Sequence, residues 1–103
     1  MKRILDGKRY NTETAEKIAS YSNGLGKGNF RNYDETLYKT KNGNWFLSGE
    51  GGPMTKYSHP CGNMTSGGEA IIPMDPDEAR RWLESHDKTD ALESHFTDKI
   101  VEA

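Results

Sequence analysis

Residues 35–48 read ETLYKTKNGNWFLS, two runs of aliphatic, aromatic and β-branched residues on either side of Lys41-Asn42-Gly43-Asn44. That is the composition of two strands paired about a tight turn. A two-residue turn at Asn42-Gly43 pairs Thr40 with Trp45 and Tyr38 with Leu47. Alternation then puts Tyr38, Trp45 and Leu47 on one face and Leu37, Lys39, Phe46 and Ser48 on the other. Both faces carry groups that seek cover, so helices are expected on one and a loop or a partner on the other. Ala70-Ile71-Ile72, stopped by Pro73, reads as a third strand of the same sheet.

The pattern changes period on either side of this sheet. Asp6-Gly7 between Ile4-Leu5 and Lys8-Arg9-Tyr10 predicts a short N-terminal hairpin, because Asp-Gly tolerates the positive φ of a type I′ turn. Asn11 or Thr12 then caps a helix expected to reach about Tyr21, with Ala15, Ile18, Ala19 and Ser22 at i, i+3, i+4 and i+7. The glycines of residues 23–29 predict a flexible loop. Asp75-Pro76-Asp77-Glu78 supplies an N-cap, a proline at the first helical position and a capping box, starting a helix whose buried face is Ala79, Trp82, Leu83 and His86. Thr89 caps a last helix with Leu92, His95, Phe96, Lys99 and Ile100 on its face. The fold class that follows is α+β, one compact domain over 1–103, with a short antiparallel sheet around 37–40, 44–48 and 70–72 packed against about three helices.

Composition narrows the function classes. Counting glycine and leaving out tyrosine, 39 of 103 residues are apolar, below the ~45–50% typical of soluble domains. The core is therefore small, and a partner or a homodimer is the natural source of further stability. The N-terminus MKRILDGKRY lacks the apolar stretch of a signal peptide, no run is long enough to span a bilayer, and the single cysteine, Cys61, fits a reducing compartment. A cytoplasmic protein is expected. The net charge of −2 is unevenly spread: residues 1–73 carry ten Lys/Arg and seven Asp/Glu, residues 74–103 four and nine.

The candidate chemistries are quickly weighed. Gly49-Glu50-Gly51-Gly52-Pro53-Met54-Thr55-Lys56 invites a phosphate-loop reading but lacks the spacing of a Walker or dinucleotide loop, and Pro53 removes one N–H. A rigid connector fits it better. His59, Cys61, His86 and His95 do not show zinc-ligand spacing, so no metal or other cofactor is expected. No nucleophile elbow is present, and Asp77 with Arg81 and Arg80 with Glu84 read as helix surface pairs, so the chain is not expected to be an enzyme. Lys8, Arg9, Tyr10, Tyr38, Lys39, Lys41, Trp45 and Phe46 interleave cations and aromatics, but with so weak a positive excess direct nucleic-acid binding is not expected.

Three stretches, YNTETAEKIASY, ETLYKTKNGNWFLSGEGGPMTKY and GGEAIIPMDPDEARRWLESH, form an ordered set covering nearly the whole chain. They resemble a family of small proteins of phages, prophages and integrative elements, some associated with anti-CRISPR activity. The resemblance implies an inhibitor that occupies a bacterial CRISPR effector in the host cytoplasm and blocks target-DNA binding or nuclease recruitment. Its partner-binding residues would be Asp77, Glu78, Glu84, Asp87, Asp90 and Glu93 from the acidic C-terminal part, with Glu50, Lys56 and Tyr57 from the glycine-rich loop. The alternative is a nucleic-acid-binding accessory protein of a mobile element.

Overall fold

The computed structural model describes residues 1–26 and 28–103; Lys27, within the loop expected at 23–29, lies outside the described residues. Its centre is a four-stranded antiparallel sheet of order β3-β4-β5-β8, made of β3 (Glu16–Ser22), β4 (Tyr33–Lys39), β5 (Trp45–Gly51) and β8 (Gly68–Met74). Two hairpins flank it: β1 (Lys2–Leu5) with β2 (Lys8–Asn11), and β6 (His59–Cys61) with β7 (Met64–Ser66). The helices are α1 (Pro76–Ser85) and α2 (Thr89–His95), followed by a single 3₁₀ turn, Thr97–Lys99. The class is α+β, with two α-helices where about three were expected. No helix among the described residues is long and apolar enough to cross a membrane.

The largest departure is β3. Residues 13–21 form no helix: 13–15 turn, and Glu16–Ser22 is an edge strand, with Ala19 opposite Leu37 and Tyr21 opposite Glu35. A register shift between Lys17 and Ala19 marks a bulge at Ile18. It allows Ile18, Ala19 and Tyr21 all to pack on the same core cluster, which strict alternation forbids. Consecutive apolar residues on one face imitate helical spacing, and the bulge is what makes them compatible with a strand.

The central hairpin is also one residue out of the expected register. Thr40 donates its N–H to the Asn44 carbonyl at 2.8 Å, and the Thr40 Oγ1 accepts the Asn44 N–H at 3.0 Å. This encloses a three-residue loop, in which Gly43 alone, at φ +85°, enters the left-handed region. Such a loop inserts one residue relative to a two-residue turn. Tyr38 therefore faces Phe46, Leu37 faces Leu47 and Lys39 faces Trp45, and Leu37 exchanges faces with Tyr38.

The corrected faces sort cleanly. Leu37, Trp45 and Leu47 meet Ala79, Trp82, Leu83 and Phe96 under the helices. On the other face Phe46 and Ile71 are covered by Tyr10 of the N-terminal hairpin, with Tyr38 stacked on Phe46 at 5.1 Å between centroids. Helices on one side and a short hairpin on the other are the cover that the sequence asks for. The third strand does not stop at Pro73 but runs to Met74. It lies at the edge of the sheet, where a proline, having no N–H to give to a ladder, is tolerated.

Helix α1 begins as expected: the Asp75 side chain accepts the Glu78 N–H at 2.7 Å and the Glu78 carboxylate accepts the Asp75 N–H at 3.0 Å. It ends with Asp87 at φ 55°, where the Lys88 N–H reaches the Leu83 carbonyl at 2.9 Å, a left-handed C-terminal cap on a residue other than glycine. Lys88, not Thr89, is the N-cap of α2, and it makes no side-chain cap bond. Lys99 and Ile100 fall beyond that helix and are exposed.

Candidate functional site

The glycine-rich stretch is built around one buried carboxylate. Glu35, on the helix-facing side of β4, is 3% exposed. Its Oε1 accepts the Trp82 Nε1–H at 2.9 Å, and its Oε2 accepts the Tyr57 hydroxyl and lies 2.7 Å from the Lys56 ammonium. A carboxylate buried without partners would cost several kcal/mol. Three donors, one of them cationic, make it tolerable. Burial by itself raises the Glu35 pKa, but the bonds from Lys56, Trp82 and Tyr57 together with the Lys56 charge outweigh it, leaving the carboxyl below its ordinary 4.5. The Tyr57 phenol is pushed up from 10.0, first by burial and then by its bond to Glu35.

Gly49 makes room for this hub. A Cβ there would stand 2.0 Å from the Tyr57 Oη and 2.2 Å from its Cζ, because the ring lies across the strand at that point. Gly52 and Gly67 are as tightly placed, against the Phe30 and Gly51 carbonyls. The loop carries Tyr57 back over its own strand and locks it, through Glu35, to Trp82 of α1. Beside the hub, His86 stacks on Tyr21 at 3.9 Å and meets Trp82 edge-on. Burial holds its imidazole below the ordinary 6.5.

The expected partner-binding residues therefore divide. Tyr57 is buried, and Lys56, although its side chain is 59% exposed, is committed to Glu35. On the helices, Asp77 and Glu84 both meet Arg80, at 3.9 and 3.0 Å, Glu78 completes the capping box and Asp87 forms the C-terminal cap. Asp90 and Glu93 are exposed on α2. Glu50 lies apart from these, on the opposite face of the sheet. There it sits in register between Asp34 of β4 and Glu69 of β8.

Asp34, Glu50 and Glu69 are thus three carboxylates side by side across three adjacent strands. Glu50 and Glu69 are exposed and Asp34 is half-buried. With Thr36, Ser48 and Met1 they border a shallow depression at the end of the sheet not covered by Tyr10. Sequence reasoning missed Asp34 and Glu69. Their alignment depends on the one-residue register correction on one side of β5 and on the β5–β8 pairing on the other. Among the described residues no three His, Cys, Asp or Glu side chains converge as a metal ion requires.

The aromatics that could have stacked on bases are spent on packing: Tyr10, Trp45 and Phe46 are 6, 4 and 0% exposed. Lys2, Arg3, Lys8 and Arg9 of the N-terminal hairpin remain exposed. Nothing among protein-family models, curated proteins or solved structures matches this chain.

Proposed function

We propose that this chain is a protein-binding domain that acts by occupancy, and that its target is a bacterial CRISPR effector, where its carboxylates take the place of nucleic-acid phosphates against Lys and Arg side chains. The observation that carries the reading is the row Asp34–Glu50–Glu69. Neighbouring strands are only ~4.8 Å apart, so three carboxylates in register on one face form a compact acidic surface, and charge complementarity of this kind to a cationic partner sets on-rate and partner choice. The exposed carboxylates Asp90 and Glu93 add to the negative field from the helical side.

The hub fits the same reading. An inhibitor that works by occupancy gains affinity from rigidity, and Glu35, Tyr57 and Trp82 tie sheet, loop and helix together. The test is capture of purified effector complexes on the immobilised protein, with and without guide and target DNA. Retention of the guide-loaded complex that target DNA abolishes is the expected result, and equal retention with DNA already bound would exclude a DNA-facing site. The rival function, a nucleic-acid-binding accessory protein, would run through Lys2, Arg3, Lys8 and Arg9, and would show a steep salt dependence of DNA binding.

A further inference from the structure

A second surface lies where Asn23, Leu25, Arg31 and Tyr33 meet the turn at Met54–Lys56. A cleft of about 480 Å³ is lined by Asn23, Leu25, Arg31, Tyr33, Met54 and Lys56, among others. Its volume falls in the range of ordinary ligand pockets, ~300–1,000 Å³. Leu25 and Met54 are 42 and 55% exposed, and apolar side chains gathered at a cleft mark interaction surfaces more often than scattered ones do.

Both walls are fixed by hydrogen bonds. The Asn23 Nδ2 donates to the Arg31 carbonyl at 2.8 Å, and its Oδ1 accepts the N–H groups of Leu25 and Tyr33, each at 3.3 Å. On the other wall the Met54 N–H donates to the Phe30 carbonyl at 2.8 Å and the Gly52 N–H to the Asn32 carbonyl at 2.9 Å. The cleft is preorganised, so an occupant does not have to order it.

The lining points to the chemistry of the occupant. Among the described residues it contains the cations Arg31 and Lys56 and no carboxylate. Lys56 gives one contact to Glu35 and, as an ammonium with three donors, keeps others for a ligand. The Arg31 guanidinium makes no ion pair among the described residues and offers the planar fork that suits a carboxylate.

We propose that this cleft docks an extended segment of a partner protein in which a large apolar side chain is flanked by carboxylates: the apolar group between Leu25, Tyr33 and Met54, the carboxylates on Arg31 and Lys56. The preference for acidic segments is opposite to that of the Asp34–Glu50–Glu69 row, so the two surfaces engage different parts of a target.

The test is an NMR titration of ¹⁵N-labelled protein with the peptide acetyl-Glu-Glu-Leu-Phe-Glu-amide and with its twin carrying Lys for every Glu. Saturable shifts at Leu25, Arg31, Met54 and Lys56 are expected for the acidic peptide, with Kd at least tenfold weaker for the twin. Arg31→Glu and Met54→Asp, both at exposed positions, should each weaken the acidic peptide at least fivefold with an unchanged melting temperature. Glu13→Lys, an exposed position away from both surfaces, should leave that Kd as it is. Absence of saturable shifts, shifts centred on another surface, or equal binding of the twin would overturn the proposal.

Discussion

Replacing Gly49 by alanine adds a single methyl group, and the structure assigns it an outsized effect. Nothing in the backbone forbids the change, since Gly49 is not among the glycines at positive φ. Reduced freedom of the unfolded chain would on its own stabilise the variant by ~0.4–1 kcal/mol. Against this stands the ring of Tyr57: the new Cβ falls 2.0, 2.2 and 2.7 Å from its Oη, Cζ and Cε1. The ring must move, and moving it withdraws the hydroxyl from Glu35. A hydrogen bond to a charged group is worth ~1.5–3 kcal/mol, and forcing extra volume into a packed site costs ~1–3 kcal/mol. Net of the entropy gain, Gly49→Ala should destabilise by about 2–5 kcal/mol. At ~4–8 °C per kcal/mol for a domain of this size, the melting temperature should fall by at least ~8 °C.

A double-mutant cycle separates this clash from other causes. In a Tyr57→Ala background the added methyl group meets empty space, so Gly49→Ala should cost less than ~0.5 kcal/mol or become stabilising. Thermal melts followed by circular dichroism on the four variants give the coupling. Equal costs in both backgrounds, or a single variant that melts within a degree of the parent, would refute the role of the hub.

Three further outcomes follow. Because the Glu35 carboxyl titrates below 4.5 in the folded chain, it contributes stability that is present above 4.5 and lost as pH falls through the folded value. Melting temperatures of Glu35→Gln should therefore be lower than the parent's near neutrality and fall less steeply below pH 4.5. Gly43→Val should destabilise by ~1–3 kcal/mol, since φ +85° is strained for a β-branched residue; a chemical denaturation curve with an unchanged midpoint would contradict the loop geometry. The His86 imidazole, depressed chiefly by burial, should titrate below 6.5 by NMR, and Tyr21→Ala, which removes its stacking partner, should bring the midpoint back toward 6.5.

What the sequence made legible was local chemistry. Asp6-Gly7 turned where expected, with both residues at positive φ, and the Asp75–Glu78 box opened α1 because its signal is carried by four consecutive residues. Ala79, Trp82 and Leu83 are buried as their spacing required. The failures share a cause: they depend on how many residues intervene between contacts distant in sequence. Ile18 and Ala19 fit a helical stripe until a bulge seats both beside the same core. One extra residue in the Lys41–Gly43 loop exchanged the faces of Leu37 and Tyr38. The candidate site suffered likewise, since Lys56 and Tyr57 stand out in sequence yet serve Glu35. Asp34 and Glu69 gain meaning only through the register that sets them beside Glu50.

The central claim, that the cross-strand carboxylate row is the surface that meets a cationic partner, is tested most directly by Asp34→Lys and Glu69→Lys. Each reverses one charge of the row beside Glu50, and a surface substitution of this kind changes stability by only ~0.5 kcal/mol in either direction. Melting temperature and effector affinity should be measured on the same preparations. The account predicts that each variant melts within a few degrees of the parent while its affinity for the effector falls at least tenfold, and that Asp90→Lys and Glu93→Lys have smaller effects on binding. Variants of Asp34 and Glu69 that keep the parent's affinity would contradict it.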